Sequence, residues 1–158
     1  MYIEKNITHL SQHPYHWIAP MDEPTFPHFK VMEPNGDTYF EREDGTIIKL
    51  TDKLDNTYKS RVTHKEILFV FGVHAVNEIK HLYKTKNRDS LVIVIEPTLS
   101  FFSSAFVQKN LSVLGNDNIL LFADNDITNL VTFLQPVLHE INYAKLIKKI
   151  NFYFTRWI

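Results

Sequence analysis

Three short apolar runs in this 158-residue chain end on residues that can meet a nucleotide: "ILFVFG" on Gly72, "LVIVIE" on Glu96 and "NILLFAD" on Asp124. A glycine at a strand end permits a tight turn and lets backbone approach a phosphate closely. The helix that follows such a turn offers free N–H groups and a positive dipole end to an anion. Glu96 stands 24 residues beyond Gly72, near the spacing at which a carboxylate accepts hydrogen bonds from ribose hydroxyls. Asp124, at the third tip, can contact a base or cap the next helix. Gly72, His74 within the glycine loop, Glu96 and Asp124 form the candidate cofactor-binding set.

The loop departs from the dinucleotide fingerprint. G-x-G-x-x-G is replaced by Gly72-Val73-His74-Ala75-Val76-Asn77. A side chain at position 74 occupies space where a pyrophosphate touches backbone, which argues against NAD and FAD. No G-K-[ST] follows any glycine, so the P-loop is missing, and G-x-S-x-G is missing too. His74, Glu78 and His81 share one helix face, but the metalloprotease order H-E-x-x-H is not present. A solvated polar stripe opposite Val76 and Ile79 explains the same letters. His9, His13 and His16 are separated by Pro14, which interrupts any helix that would align them. No catalytic residue is assigned, and no metal is expected.

Composition narrows the classes further. Seventeen basic against eighteen acidic residues leave a net charge of −1, without the electrostatic footprint of a nucleic-acid binder. The chain has no cysteine, which removes disulfides and thiolate chemistry and fits a reducing compartment. "MYIEKNITHLSQHPYHW" lacks the charged and apolar regions of a secretory signal. The longest apolar runs are far shorter than the roughly 20 residues that span a bilayer. The simplest location is the cytoplasm.

The elements that must position the candidate residues fall into two zones. Residues 1–60 hold five of the seven prolines and read as a small β-rich extension with irregular leads. There "YFEREDGTIIKL" predicts a hairpin around Asp44-Gly45, and "HFKVMEPNGDT" adds a strand before it. Residues 61–158 alternate strand and helix, which predicts an α/β domain of Rossmann-like, three-layer architecture around a parallel sheet. The helices expected are Ala75 to Lys84, "LSFFSSAFVQKNLSVLG" up to Gly115, and "ITNLVTFLQ" capped by Asp126. Pro136 marks a break or kink before a last helix that runs into "FYFTRWI". So many large apolar residues at a terminus read as one piece of a longer protein.

These residues resemble a family. "ILFVFGVHAVNEIKHLYK", "LVIVIEPTLSFFSSAF" and "NILLFADND" look like the N-terminal Rossmann-like region of motility-associated factor (Maf) proteins. These are bacterial glycosyltransferase-like proteins that carry a domain related to 6-hydroxymethylpterin pyrophosphokinases. The family has a strand ending F-G-x-G, a helix, a strand ending I-E-P and an aromatic-rich helix. Phe71-Gly72 and Ile95-Glu96-Pro97 match, and the second glycine does not. The resemblance covers roughly residues 38–158.

The resemblance implies a part in sugar transfer, most often of nonulosonic acids from CMP-activated donors onto flagellin. The transfer chemistry is expected downstream of residue 158, which makes this chain a non-catalytic accessory domain. Its partners would be that transferase domain or flagellin. The main rival is a methyltransferase-like or other nucleotide-binding domain, with Gly72 near the methionine part of S-adenosylmethionine, Glu96 on the ribose and Asp124 near adenine. A third reading is an interaction module that self-associates or docks through its aromatic last helix.

Overall fold

A computed structural model describes residues 2–21, 31–32, 38–41, 45–54, 66–140 and 149–157. In chain order these form α1 (Ile3–Ser11), β1 (Trp17–Ile18), β2 (Val31–Met32), β3 (Thr38–Glu41), β4 (Ile47–Leu54) and β5 (Glu66–Phe71). Then come α2 (Val76–Thr85), β6 (Leu91–Glu96), α3 (Leu99–Gln108), a 3-10 turn (Ser112–Gly115), β7 (Ile119–Ala123), α4 (Asn129–Glu140) and β8 (Lys149–Trp157).

The strands form one sheet in the order β1-β7-β6-β5-β8-β4-β3-β2. β1, β7, β6, β5 and β8 run parallel, and β4, β3 and β2 continue the sheet antiparallel beyond β8. The run β7-β6-β5-β8 reverses direction of growth at β5, as the first half of a Rossmann-like sheet does. β5, β6 and β7 are short, continuous apolar runs because both of their faces are covered. Alternate residues serve opposite faces. Leu68, Val70, Val92, Val94, Ile119 and Leu121 pack under Ile79 and Leu82 of α2 and Phe102 and Ala105 of α3. Ile67, Ile93, Ile95, Leu120 and Phe122 pack under Phe133 of α4 on the other side. The chain is therefore α/β, with helices on both faces of a parallel sheet.

The helix expected up to Gly115 stops at Gln108 and is followed by the 3-10 turn, and the end of the chain differs too. "INFYFTRW" is the fourth central strand and not the end of a helix: β8 pairs with β5 from Glu66↔Lys149 to Phe71↔Phe154. Aromatic and β-branched residues in that run fit a pleated surface, and a place beside β5 was vacant for it. The interaction-module reading thereby loses the helix it needed. Pro136 lies inside α4 and does not end it; the helix runs through at the cost of the hydrogen bond to the Thr132 carbonyl.

β3 and β4 pair antiparallel, with Glu41↔Ile47 the described pair nearest the connection. Gly45, between the two strands, has φ +80°; Asp44, the other residue of the expected turn, lies outside the described residues. α1, which has no strong signal in a proline-rich zone, packs against the 3-10 turn and α3. The approach is close at Gly115, where a Cβ would stand 2.8 Å from the His9 carbonyl oxygen. Backbone cannot swing aside as a side-chain tip can. Gly115→Ala is expected to cost about 1–3 kcal/mol of stability, measured as a lowered urea midpoint with an unchanged slope.

Candidate functional site

Parallel register brings the three strand tips to one rim. Phe71 pairs with Ile95, Ile95 with Phe122, and Glu96 with Ala123. The Gly72 N–H donates to the Ile95 carbonyl at 2.9 Å, and the Asp124 N–H to the Glu96 carbonyl at 3.3 Å. Gly72 has φ +105°, a conformation that favours glycine because a Cβ would be strained there. Gly72, Glu96 and Asp124 thus lie at one rim, and His74 stands two residues beyond Gly72.

Their side chains are turned into the protein. Glu96 is 1% exposed. Its Oε2 accepts the Val73 N–H at 3.0 Å, and its Oε1 accepts the Thr98 N–H at 3.1 Å. The carboxyl therefore staples the loop after β5 to the loop after β6. Burial pushes its pKa up to about 7, against the opposing pull of those two N–H groups. His74 is also buried. Its Nε2–H donates to the Phe101 carbonyl at 3.0 Å, the tautomer that a carbonyl partner requires. Its Nδ1 has no hydrogen-bond partner. Burial, joined by the charge of Lys109, holds the imidazole down at about 4.

Asp124 caps its own loop. Oδ1 accepts the Asp126 N–H at 2.8 Å, and Oδ2 accepts Trp17 Nε1–H at 3.0 Å and Asn129 Nδ2–H at 2.9 Å. The Asp126 N–H, then Trp17 and Asn129, keep this carboxyl below its usual range. Asp126 in turn accepts the Thr128 N–H at 3.0 Å, just before α4. β8 continues past the end of β5, from Thr155 to Trp157, where it pairs with β4. The crevice expected at the switch point between β5 and β8 is therefore flanked by a strand that overruns the rim.

No family model, curated protein or solved structure matches this chain. The fold and the site thus rest on its own residues.

Among the described residues no group of three His, Asp or Glu could hold a metal ion. His13 and His16 stack at 4.0 Å, but His16 is spent on the fold. Its Nε2–H donates to the Leu114 carbonyl at 2.6 Å, and its Nδ1 accepts the Leu121 N–H at 3.1 Å. The ring serves the β7 edge where β1 has not yet begun. Among the described residues no helix is long and apolar enough to cross a membrane. Sequence reasoning missed Trp17 and Asn6, because both act through partners about a hundred residues away.

Two clefts that no motif announced lie along α2. One, of about 500 Å³, is bordered by His9 of α1, Lys80, Tyr83 and Lys84 of α2, and Ser112 and Asn116 beside the 3-10 turn. The other, of about 290 Å³, shares Lys80 and is bordered by Asn77, Lys109 and Asn110.

Proposed function

We propose that this chain is a non-catalytic, cytoplasmic accessory domain of a glycosyltransferase that resembles the Maf proteins. In this reading it serves nonulosonic acid transfer onto flagellin or a surface component. The observation that carries the non-catalytic part is Glu96. A ribose-binding carboxylate must face the ligand, whereas both oxygens here accept backbone N–H groups in a buried position. The strand-glycine and I-E-P ends that prompted the resemblance then act as a frame. The frame holds a covered sheet whose outer helices and edges a transferase domain or acceptor protein can use.

A nucleotide or S-adenosylmethionine site is the second reading, favoured by the start of α2. Ala75 stands at its N-cap and gives no side-chain hydrogen bond, so the first turn keeps N–H groups that an anion can take.

Amide NMR of the full chain separates the two. CMP, a CMP-activated nonulosonic acid, S-adenosylmethionine and S-adenosylhomocysteine are each expected to leave the Gly72, Val73 and Asp124 resonances in place. Saturable movement of those three amides by any one of them would establish the second reading instead. The glycan part has its own assay. Deleting the gene in its native host is expected to lower the mass of the flagellin or surface glycoprotein by its nonulosonic acid residues, and an unchanged mass refutes it.

A further inference from the structure

We infer that the paired clefts along α2 bind a small phosphorylated molecule carrying two or more negative charges. This does not rest on the accessory-domain reading: the larger cleft lies along the later turns of α2, and the smaller one reaches the first turn, at Val76 and Asn77.

The lining is chemically one-sided. Across the two clefts stand three lysines and a histidine and no carboxylate, although acidic residues outnumber basic ones in the whole chain. Lys80 borders both clefts. Lys80 and Lys84 are four residues apart on α2, so their side chains leave one helix face as neighbours. Among the described residues neither ammonium has an ion-pair or hydrogen-bond partner. Like charges at that spacing repel, and an anion between them reverses the sign of the interaction. Lys109 brings a third cation from the end of α3.

The neutral groups are donors suited to the same ligand. Ser112 contributes a hydroxyl, and Asn77 and Asn110 contribute amides. Lysine binds phosphate as a mobile point charge. The Tyr83 ring on the cleft border has the Lys86 ammonium 5.0 Å from its centre, although Asp89 offsets that charge. The larger cleft falls in the size range of small-molecule sites, and a net charge of −1 leaves no electrostatic footprint for a nucleic-acid strand.

Its floor is built and not incidental. Gly115 lets the His9 backbone come close, as the 2.8 Å approach of a hypothetical Cβ shows. That contact sets how closely α1 approaches the 3-10 turn, and both residues border the larger cleft.

The test is an amide NMR titration of the full chain with sodium pyrophosphate at constant ionic strength. Saturable shifts are expected at Lys80, Lys84, Gly115 and Asn116. The double substitution Lys80→Gln, Lys84→Gln lies on partly and fully exposed positions. It should leave the rest of the spectrum in place and weaken binding by about tenfold or more. Lys84→Gln alone should give a smaller loss, and serves if the double variant misfolds. Linear shifts without saturation, undiminished affinity in the variants, or movement confined to Gly72 and Val73 would overturn the assignment. Citrate binding as tightly as pyrophosphate would overturn its phosphate specificity.

Discussion

Replacing Asn6 with alanine is expected to lower the folding free energy by about 3–5 kcal/mol. Asn6 is fully buried. Its Nδ2 donates to the Phe106 carbonyl at 2.7 Å and the Lys109 carbonyl at 2.8 Å, and its Oδ1 accepts the Leu111 N–H at 2.9 Å. One amide thereby satisfies backbone groups that the end of α3 leaves open. Truncation strands two acceptors and one donor away from water, at about 1–3 kcal/mol for each group left unpaired. Equilibrium urea unfolding measures the loss. Asn6→Asp discriminates the cause: it keeps an acceptor for Leu111 but turns an oxygen toward two carbonyls, so it should be no milder than alanine. Lys5→Ala, on the exposed side of the same helix, should change stability by less than about 0.5 kcal/mol. A loss below about 1 kcal/mol for Asn6→Ala would remove this residue from the account of how α1 is held.

Acidification is expected to destabilise the protein between pH 6.5 and about 4. His16 and His74 both have folded pKa values lowered to about 4, chiefly by burial, from an ordinary 6.5. The unfolded chain takes up protons at these positions throughout that window while the folded one does not, so stability falls as pH falls. For His16 the geometry gives the reason directly. Protonation turns Nδ1 into a donor facing the Leu121 N–H donor. Each histidine contributes about 2–3 kcal/mol to the loss once both states are compared at pH 4.

Glu96 works in the opposite sense. Its folded pKa, about 7, lies above the ordinary 4.5. The folded state is thus the one that holds the proton, and stability rises as pH falls from 7 to 4.5. That returns about 2–3 kcal/mol. Two histidines outweigh one carboxyl, which leaves a net loss of about 2–3 kcal/mol at pH 4. Urea unfolding across this range measures the net slope, and histidine ring NMR at pH 5.5 should show His16 and His74 still neutral. Rings that titrate near 6.5, or stability that is flat from 6.5 to 4, would contradict the burial argument.

The pattern of residues determined the parallel core of this protein. Three apolar runs too short for helices, each followed by helical periodicity, specify β5, β6 and β7 and the rim that gathers Gly72, Glu96 and Asp124. Local rules suffice there, since each strand's character and each glycine or acidic tip is written in consecutive letters. The hairpin signal at Gly45 was legible for the same reason, and the cap by Asp126 as well. Other features were decided only by tertiary structure. "INFYFTRW" suits a helix end or a strand until β5 offers an unpaired edge, and the open place in the sheet selects the strand. α3 stops at Gln108 because Asn6, far back in the sequence, supplies the hydrogen bonds that end it. Whether Glu96 points to a ligand or to its own backbone depends on two N–H groups, from Val73 and Thr98, that come within reach only after the sheet has formed. Spacing along a chain determines which residues share an edge; the direction a side chain takes there depends on which partners the fold brings to it.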